Sequence, residues 1–420
     1  MTLAALIFVV ALAVIASERV HRTKVALLGA TLAVLFVSEF NQEKAIESVD
    51  FNTIGLLAGM MILVYLTQQT GVYDYIAIRA GQLSKGRPLW VVLSLAGTTA
   101  VLSAFLDNLT TILLVVPITF LLADALDIDP IPLIVIEVIS SNIGGTATLI
   151  GDPPNIIIAG ATDLTFNQFI VNLAPIVVVT FVVVTGLLYL FYRPRLQIEE
   201  RNRRYVMELE ARESIRDAAE LKRTGPVLVA TILAFFAHQA LHIEPATVAL
   251  TGATIALLVT KVDLQDALSK IEWPTLFFFV ALFVMVGALE ETGAIGKVAD
   301  GVEDLTGGDR TAELLGITWI AAAGSAVVDN IPFTTAMIPV VEQLGGAEED
   351  AYWWALSLGA CFGGNATIIA AAANVAAAGL TERAGRPIGF VAFLKVGIPV
   401  TVLSVAMASL YITLRYILLS

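Results

Sequence analysis

Residues 103–119 read SAFLDNLTTILLVVPIT and residues 324–340 read GSAVVDNIPFTTAMIPV. In both, an Asp-Asn pair interrupts an apolar run and a proline follows, so that Asp107, Asn108 and Pro117 align with Asp329, Asn330 and Pro339 at an offset of 222 residues. Upstream, residues 49–71 (VDFNTIGLLAGMMILVYLTQQTG) match residues 271–293 (IEWPTLFFFVALFVMVGALEETG) at the same offset. Downstream, residues 142–155 (NIGGTATLIGDPPN) match residues 361–374 (CFGGNATIIAAAAN) at an offset of 219, which aligns Gly144-Gly145 with Gly363-Gly364 and Asn155 with Asn374. Three blocks in one order describe a two-fold internal repeat. In an apolar chain that is the signature of a transporter whose site lies between the repeats.

Composition sets the environment. Of 420 residues, 57% are hydrophobic and 15% charged, and the mean hydropathy is +0.84. Apolar runs able to cross about 30 Å of hydrocarbon recur from end to end, so the chain reads as one integral membrane unit. Residues 1–17 lack a basic flank and a small-residue cleavage site, and are expected to form a first span rather than a removed signal. The net charge of -13 is expected to sit in loops. A single cysteine, Cys361, excludes an intramolecular disulfide and a thiolate cluster, and three histidines near span ends give no metal-site spacing. No cofactor motif is present. Any substrate is expected to meet oxygen atoms and backbone dipoles.

The long polar stretch from 193 to 223 carries nine basic and seven acidic residues at roughly helical spacing and reads as an amphipathic linker helix on the membrane surface. It divides the chain into a first inverted repeat, 1–192, the linker, 193–223, and a second inverted repeat, 224–420. The expected fold is an all-α integral membrane protein, an inverted-repeat transporter of about ten transmembrane helices plus two re-entrant hairpins and two broken helices. Spans are expected near 3–17, 25–38, 51–69 and 167–192, with a hairpin near 89–125 and a broken span near 131–160. The second half repeats this with spans near 226–243, 246–260 and 273–290, a hairpin near 313–344, a broken span near 351–380 and a last span from 390. Five crossings per half invert the second half. With the linker cytoplasmic, 20 of the 24 Lys and Arg residues fall inside and both termini fall outside a multi-pass protein of the inner (cytoplasmic) membrane.

Helix breaks within hydrocarbon are tolerated only where freed backbone groups line a cavity or find partners, so the breaks mark the site. Asp107-Asn108-Leu109-Thr110 and Asp329-Asn330-Ile331-Pro332 are helix starts in mid-run, with Asp suited to capping. The paired glycines Gly144-Gly145 before Thr146, and Gly363-Gly364 before Asn365, free the backbone to approach a ligand. Gly151-Asp152-Pro153-Pro154-Asn155 restarts a helix. The candidate substrate ligands are therefore Asn108, Thr110, Asn142, Gly144, Gly145, Thr146, Asn155, Asn330, Thr334, Gly363, Gly364, Asn365 and Asn374. Asp107, Asp329 and Asp152 lie in apolar sequence, with Glu137 nearby and no intramembrane Lys or Arg evident to pair with them. They are the candidate proton carriers, or cation ligands when ionised. A fixed anion would be repelled by them, which favours a neutral or cationic substrate. Asp152 has Ala371 as its repeat partner and so breaks the symmetry. No nucleotide loop, catalytic triad or metal-ligand spacing supports an enzyme.

The stretches VLSAFLDNLTTILLVVPITFLLAD, SSNIGGTATLIGDPPNIIIAG, VVDNIPFTTAMIPV and LGACFGGNATIIAAAANVAAAGL resemble the arsenite permease and NhaD-type branch of the Ion Transporter superfamily, which takes in the mammalian P protein. The resemblance covers nearly the whole chain. It implies scaffold and transport domains in each half, two re-entrant hairpins, frequent dimerisation and an elevator-like motion. In related sodium-coupled dicarboxylate carriers the hairpin tips hold Ser-Asn-Thr motifs; here Asp107 and Asp329 replace a neutral residue, a departure that fits proton coupling. The expected function is proton-coupled efflux of arsenite or antimonite, with Na+/H+ exchange or the carriage of small anions as the alternative. The expected partners are a small inorganic substrate, coupling H+ or Na+, and the lipid bilayer, with no nucleic acid. A homodimer and a soluble ATPase partner are left open.

Overall fold

The computed structural model describes residues 2–17, 19–200, 202 and 210–418. Among the described residues there are no strands, and twenty α-helices carry the fold. In the first half these are α1 (Thr2–Ala16), α2 (Arg22–Phe36), α3 (Gln42–Glu47), α4 (Phe51–Gln68), α5 (Val72–Leu83), α6 (Pro88–Phe105), α7 (Asn108–Leu126), α8 (Pro130–Gly145), α9 (Pro153–Gly160) and α10 (Phe166–Tyr192). The second half holds α11 (Ala218–Ala237), α12 (Pro245–Val259), α13 (Leu264–Ser269), α14 (Trp273–Glu291), α15 (Ala294–Thr306), α16 (Arg310–Val328), α17 (Asn330–Val341), α18 (Ala351–Gly363), α19 (Ala372–Arg383) and α20 (Phe390–Ile412). Seven helices, α4, α6, α7, α10, α14, α16 and α20, are long and apolar enough to cross a membrane by length and composition. Three shorter apolar helices start at Leu3, Pro130 and Pro245.

Local signals place the boundaries. Pro88, Pro130, Pro153 and Pro245 stand in the first turn of their helices, where the missing N–H is no loss. Asp50 and Asp263 accept from two backbone N–H groups each and start α4 and α13. Asp217 does the same for α11, so that helix begins at Ala218, within the stretch expected to be linker. The expected amphipathic linker helix is described only in part. Its described residues include short 3-10 turns at Arg193–Arg195 and Ala211–Ser214, whereas residues 201 and 203–209 lie outside the described residues.

Each helix of the first half has a counterpart in the second, including the short α3 and α5, matched by α13 and α15. Packing follows the same exchange. Helix α2 packs along α14 and α4 along α12, a swap of partners that a two-fold relation between the halves requires. The first leg of each hairpin, α6 or α16, runs along the first part of the broken helix of its own half, α8 or α18. The second parts cross over: α9 packs on α17, and α19 on α7. The two hairpin tips and the two breaks are thereby drawn into one place in the interior.

Candidate functional site

Four helices, α7, α9, α17 and α19, start at this junction, so their N-terminal dipole ends converge on it. Three of the four are preceded by aspartates. Asp107 and Asp329 do cap their helices: Asp107 Oδ1 accepts from Thr110 N at 2.9 Å, and Asp329 Oδ1 from Ile331 N at 3.0 Å. Asp152 makes no cap bond. Its Oδ1 instead accepts from Asn108 Nδ2 and Asn330 Nδ2, each at 3.1 Å, so one carboxylate oxygen holds both hairpin tips. Asp152 is fully buried; no N–H or O–H group reaches its Oδ2, and the Cys361 thiol lies beside the carboxylate. Ala371, its counterpart, has nearly the same backbone conformation (φ -149°, ψ 145° against φ -141°, ψ 134°) and a methyl group where Asp152 has the carboxylate.

Around Asp152 the amides form a continuous network. Asn108 Nδ2 also reaches Asn142 Oδ1 at 3.3 Å, and Asn142 Nδ2 donates to Asn365 Oδ1 (3.0 Å) and Asn374 Oδ1 (2.9 Å). The Nδ2 of Asn365 is buried and unpartnered. Asn155 and Asn374 brace the breaks, as Asn155 Nδ2 donates to the carbonyls of Thr146 and Thr148, and Asn374 Nδ2 to those of Gly364 and Thr367. These bonds satisfy carbonyls that the interrupted helices leave open. The two-fold relation extends to individual bonds. Asn142 to Asn374 corresponds to Cys361 to Asn155, where the buried thiol approaches Asn155 Oδ1 at 3.8 Å. Ser103 to the carbonyl of Ser141 corresponds to Ser325 to the carbonyl of Ala360.

Several expected ligands are engaged elsewhere. A Cβ on Gly144 would meet the Ala100 carbonyl oxygen at 2.3 Å, and one on Gly363 the Ala322 carbonyl oxygen at 2.5 Å. These two glycines therefore let α8 and α18 pack tightly on α6 and α16. Gly145 lies against Gly151 across the break, and Gly364 faces Asn330 Nδ2. The hydroxyls of Thr146 and Thr334 bond back to the carbonyls four residues earlier, and Thr110 contributes its backbone N–H. What remains free toward the junction is amide and carboxylate chemistry.

The expectation that no intramembrane basic residue pairs with the aspartates is corrected for Asp329. Arg22, in the first turn of α2, places Nη1 2.7 Å from Asp329 Oδ2 and lies over the Phe278 ring at 5.0 Å. The partners are 307 positions apart, so nothing local in the sequence announces the pair. Asp107 has no such ion pair among the described residues. A cleft of about 470 Å³ opens beside Arg22 and Asp329, with Leu109 and Val328 from the two tips and Ala372, Val375 and Ala376 of α19 in its wall. A larger cavity of about 1060 Å³ lies against α5 and residues 210–212, away from the tips. The cleft at the tips is lined by Leu109 and Asp329, the chain neighbours of Asn108 and Asn330.

A family model described as citrate transporter matches residues 12–359. An uncharacterized transporter of Mycobacterium tuberculosis is 43% identical over 426 residues, covering 98% of each chain. The P protein of Homo sapiens is 31% identical over 508 residues, covering 99% of this chain and 60% of its own length. The crystal structure of the Alcanivorax borkumensis YdaH transporter has a TM-score of 0.59, with 88% of this chain and 86% of that one covered at 16% identity, a likeness of fold. With its repeated halves, paired hairpins and paired broken helices, the chain is a multi-pass membrane transporter of the citrate-transporter family, within the Ion Transporter superfamily.

Proposed function

We propose that the chain is a proton-coupled secondary transporter in which Asp152 is the coupling group, and that its substrate is a neutral trivalent arsenic or antimony hydroxide exported from the cytoplasm. The observation that carries this reading is the single carboxylate oxygen of Asp152 shared by Asn108 and Asn330, with the other oxygen reached by no N–H or O–H group. Loss or gain of a proton at such a group changes what the carboxyl offers both tips at once, and so biases their separation. Asp107 and Asp329 act in this reading as caps, with Asp329 also tied to Arg22. The amides of Asn108, Asn142, Asn330 and Asn365 suit the hydroxyls of a neutral metalloid acid, which both donate and accept. The linker, α5 and the start of α2 lie on the cytoplasmic side, so the cleft beside Arg22 is the inner entrance.

The test is flux into inside-out proteoliposomes with an imposed proton gradient, using trivalent arsenite, sodium and succinate in parallel. Gradient-dependent arsenite uptake in the parent, lost in Asp152→Asn and retained in Asp107→Asn, is the expected result. Sodium or succinate flux without arsenite flux would sink the metalloid assignment.

A second reading has its own support. Arg22 gives the entrance cleft a cation that the sequence did not suggest, and the matching family model is described as citrate transporter. In that reading a small organic anion takes Arg22 from Asp329 while helix N-termini face it. Succinate uptake that falls in Arg22→Gln, with arsenite inert, is its signature.

A further inference from the structure

Glu137 lies in the middle of α8 and is 1% exposed. Its Oε1 accepts from Thr119 Oγ1 of α7 at 2.6 Å, and its Oε2 has no partner. Four buried hydroxyls share that condition on the same packed group of helices: Thr111 on α7, Ser140 on α8, and Thr180 and Thr185 on α10. Ser140 is one turn from Glu137, on the side toward the junction. Beyond it, Ser141 Oγ donates to the carbonyl of Asn108, the residue whose amide holds Asp152. Buried polar atoms without partners are rare, and five of them on α8 and the two helices packed on it, around one buried carboxyl, point to water as the missing partner.

We propose that Glu137 is an internal proton-holding station for the Asp152 centre, reached through a seam of waters held by the hydroxyls of α7, α8 and α10. The inference rests on the proton-coupled reading of Asp152 and adds a second carboxyl to it. No ion pair among the described residues engages Glu137. The helices packed on α8 carry few other titratable groups. Helix α6 has none; Asp124, Tyr189 and Tyr192 lie toward the far ends of α7 and α10, as do Glu382 and Arg383 on α19. On α18 Tyr352 donates to Glu313 and Cys361 to Asn155. Glu137 is thus placed to hold a proton without a fixed counter-charge. Transfer needs no other reactant: the proton leaves Oε2 for a seam water, and a water at the far end delivers one to Asp152 Oδ2.

The test uses the purified full chain in lipid nanodiscs, and needs no substrate. Infrared spectra of the protonated-carboxyl stretch are recorded across pH in H2O and D2O buffer for the parent, Glu137→Gln and Asp152→Asn. The expected result is a band that titrates, shifts in D2O, is lost in Glu137→Gln and moves its titration in Asp152→Asn. Identical parent and Glu137→Gln spectra at every pH, or a Glu137 band that does not shift in D2O, would overturn the proposal. A Glu137 band indifferent to Asp152→Asn would also overturn it. Should Glu137→Gln fail to fold, Thr119→Val keeps the acid and removes its one donor, and an unmoved band there is equally fatal. Failure of the Asp152 reading is distinguished by flux, as gradient-dependent uptake that Asp152→Asn retains, whereas failure of the Glu137 proposal is read from the Glu137 band alone.

Discussion

Asp107, Asp152 and Asp329 each precede the first residue of a helix, but their backbones differ in a way that separates their roles. Asp107 and Asp152 are extended, whereas Asp329 has φ 116° and ψ 140°, a region that costs a non-glycine residue about 1–3 kcal/mol. That conformation aims the Asp329 carboxylate at both Ile331 N and Arg22. Replacing Asp329 with Ala removes the cap and the ion pair and keeps the strain, while replacing it with Gly removes the strain as well. Asp329→Gly is therefore expected to survive heating in detergent longer than Asp329→Ala, by a margin of about 1–3 kcal/mol in the unfolding barrier. Equal inactivation half-lives for the two variants would show that the surroundings do not hold the residue in this conformation. Asp152→Ala belongs at the same scale, because it strips both hairpin amides of their shared acceptor. It is expected to cost about 1–3 kcal/mol for the Asn330 amide left unpaired, with Asn108 falling back on Asn142, against a small change for Asp152→Asn, which keeps an acceptor oxygen. Similar melting of the two variants would mean that the tips are held by something other than Asp152.

The close fit of α8 on α6 and of α18 on α16 is an element-scale property that depends on absent side chains. Gly144→Ala drives a methyl group into the Ala100 backbone, where no flexible side chain is available to move. It is expected to displace the hairpin leg, with a loss of about 1–3 kcal/mol or of folded protein altogether. Gly97 on α6 and Gly316 on α16 have nothing within 4 Å of such a methyl group. Gly316→Ala is expected to be neutral or to stabilise by about 0.5–1 kcal/mol through helix propensity. Thermal half-lives and size-exclusion profiles of the variants distinguish these outcomes, and a tolerated Gly144→Ala would refute the packing role. Much of this architecture was legible in the sequence, because caps, prolines and interrupted apolar runs are local signals. The hairpin expected near 89–125 is α6 and α7, and the broken span expected near 131–160 is α8 and α9. What was not legible depends on tertiary approach: a paired glycine reads alike whether it faces a ligand or a neighbouring helix. Arg22, placed in a loop by hydropathy, reaches the second hairpin tip only because α2 packs along α14.

At the scale of the molecule, the exchange of partners between halves fixes the relative sense of the elements. The linker-side face is marked by bonds that cross sequence: Arg216 pairs with Asp74 of α5, and Lys261 N donates to Glu220 at the start of α11. Asn202 donates to the carbonyl of Leu126 at the end of α7, which brings that end to the same face. The opposite face is marked by Lys44 of α3 paired with Glu291 at the end of α14, and by Gln168 of α10 reaching Asp350 before α18. Lys85 and Lys44 therefore lie on opposite faces of the molecule, whichever way it sits in the membrane. By the distribution of Lys and Arg, the linker face is the one expected inside. Cys361 is the one native thiol and is buried, so Cys361→Ala supplies a background for single-cysteine labelling. In intact cells, a membrane-impermeant maleimide is expected to label Lys44→Cys and to leave Lys85→Cys unmodified until the membrane is opened. The reverse pattern would turn the molecule over, making the cleft beside Arg22 an outer entrance and the same proton gradient a driver of uptake. Labelling of both positions from one side would contradict the fold itself, because α4 and α5 would no longer carry the chain from one face to the other.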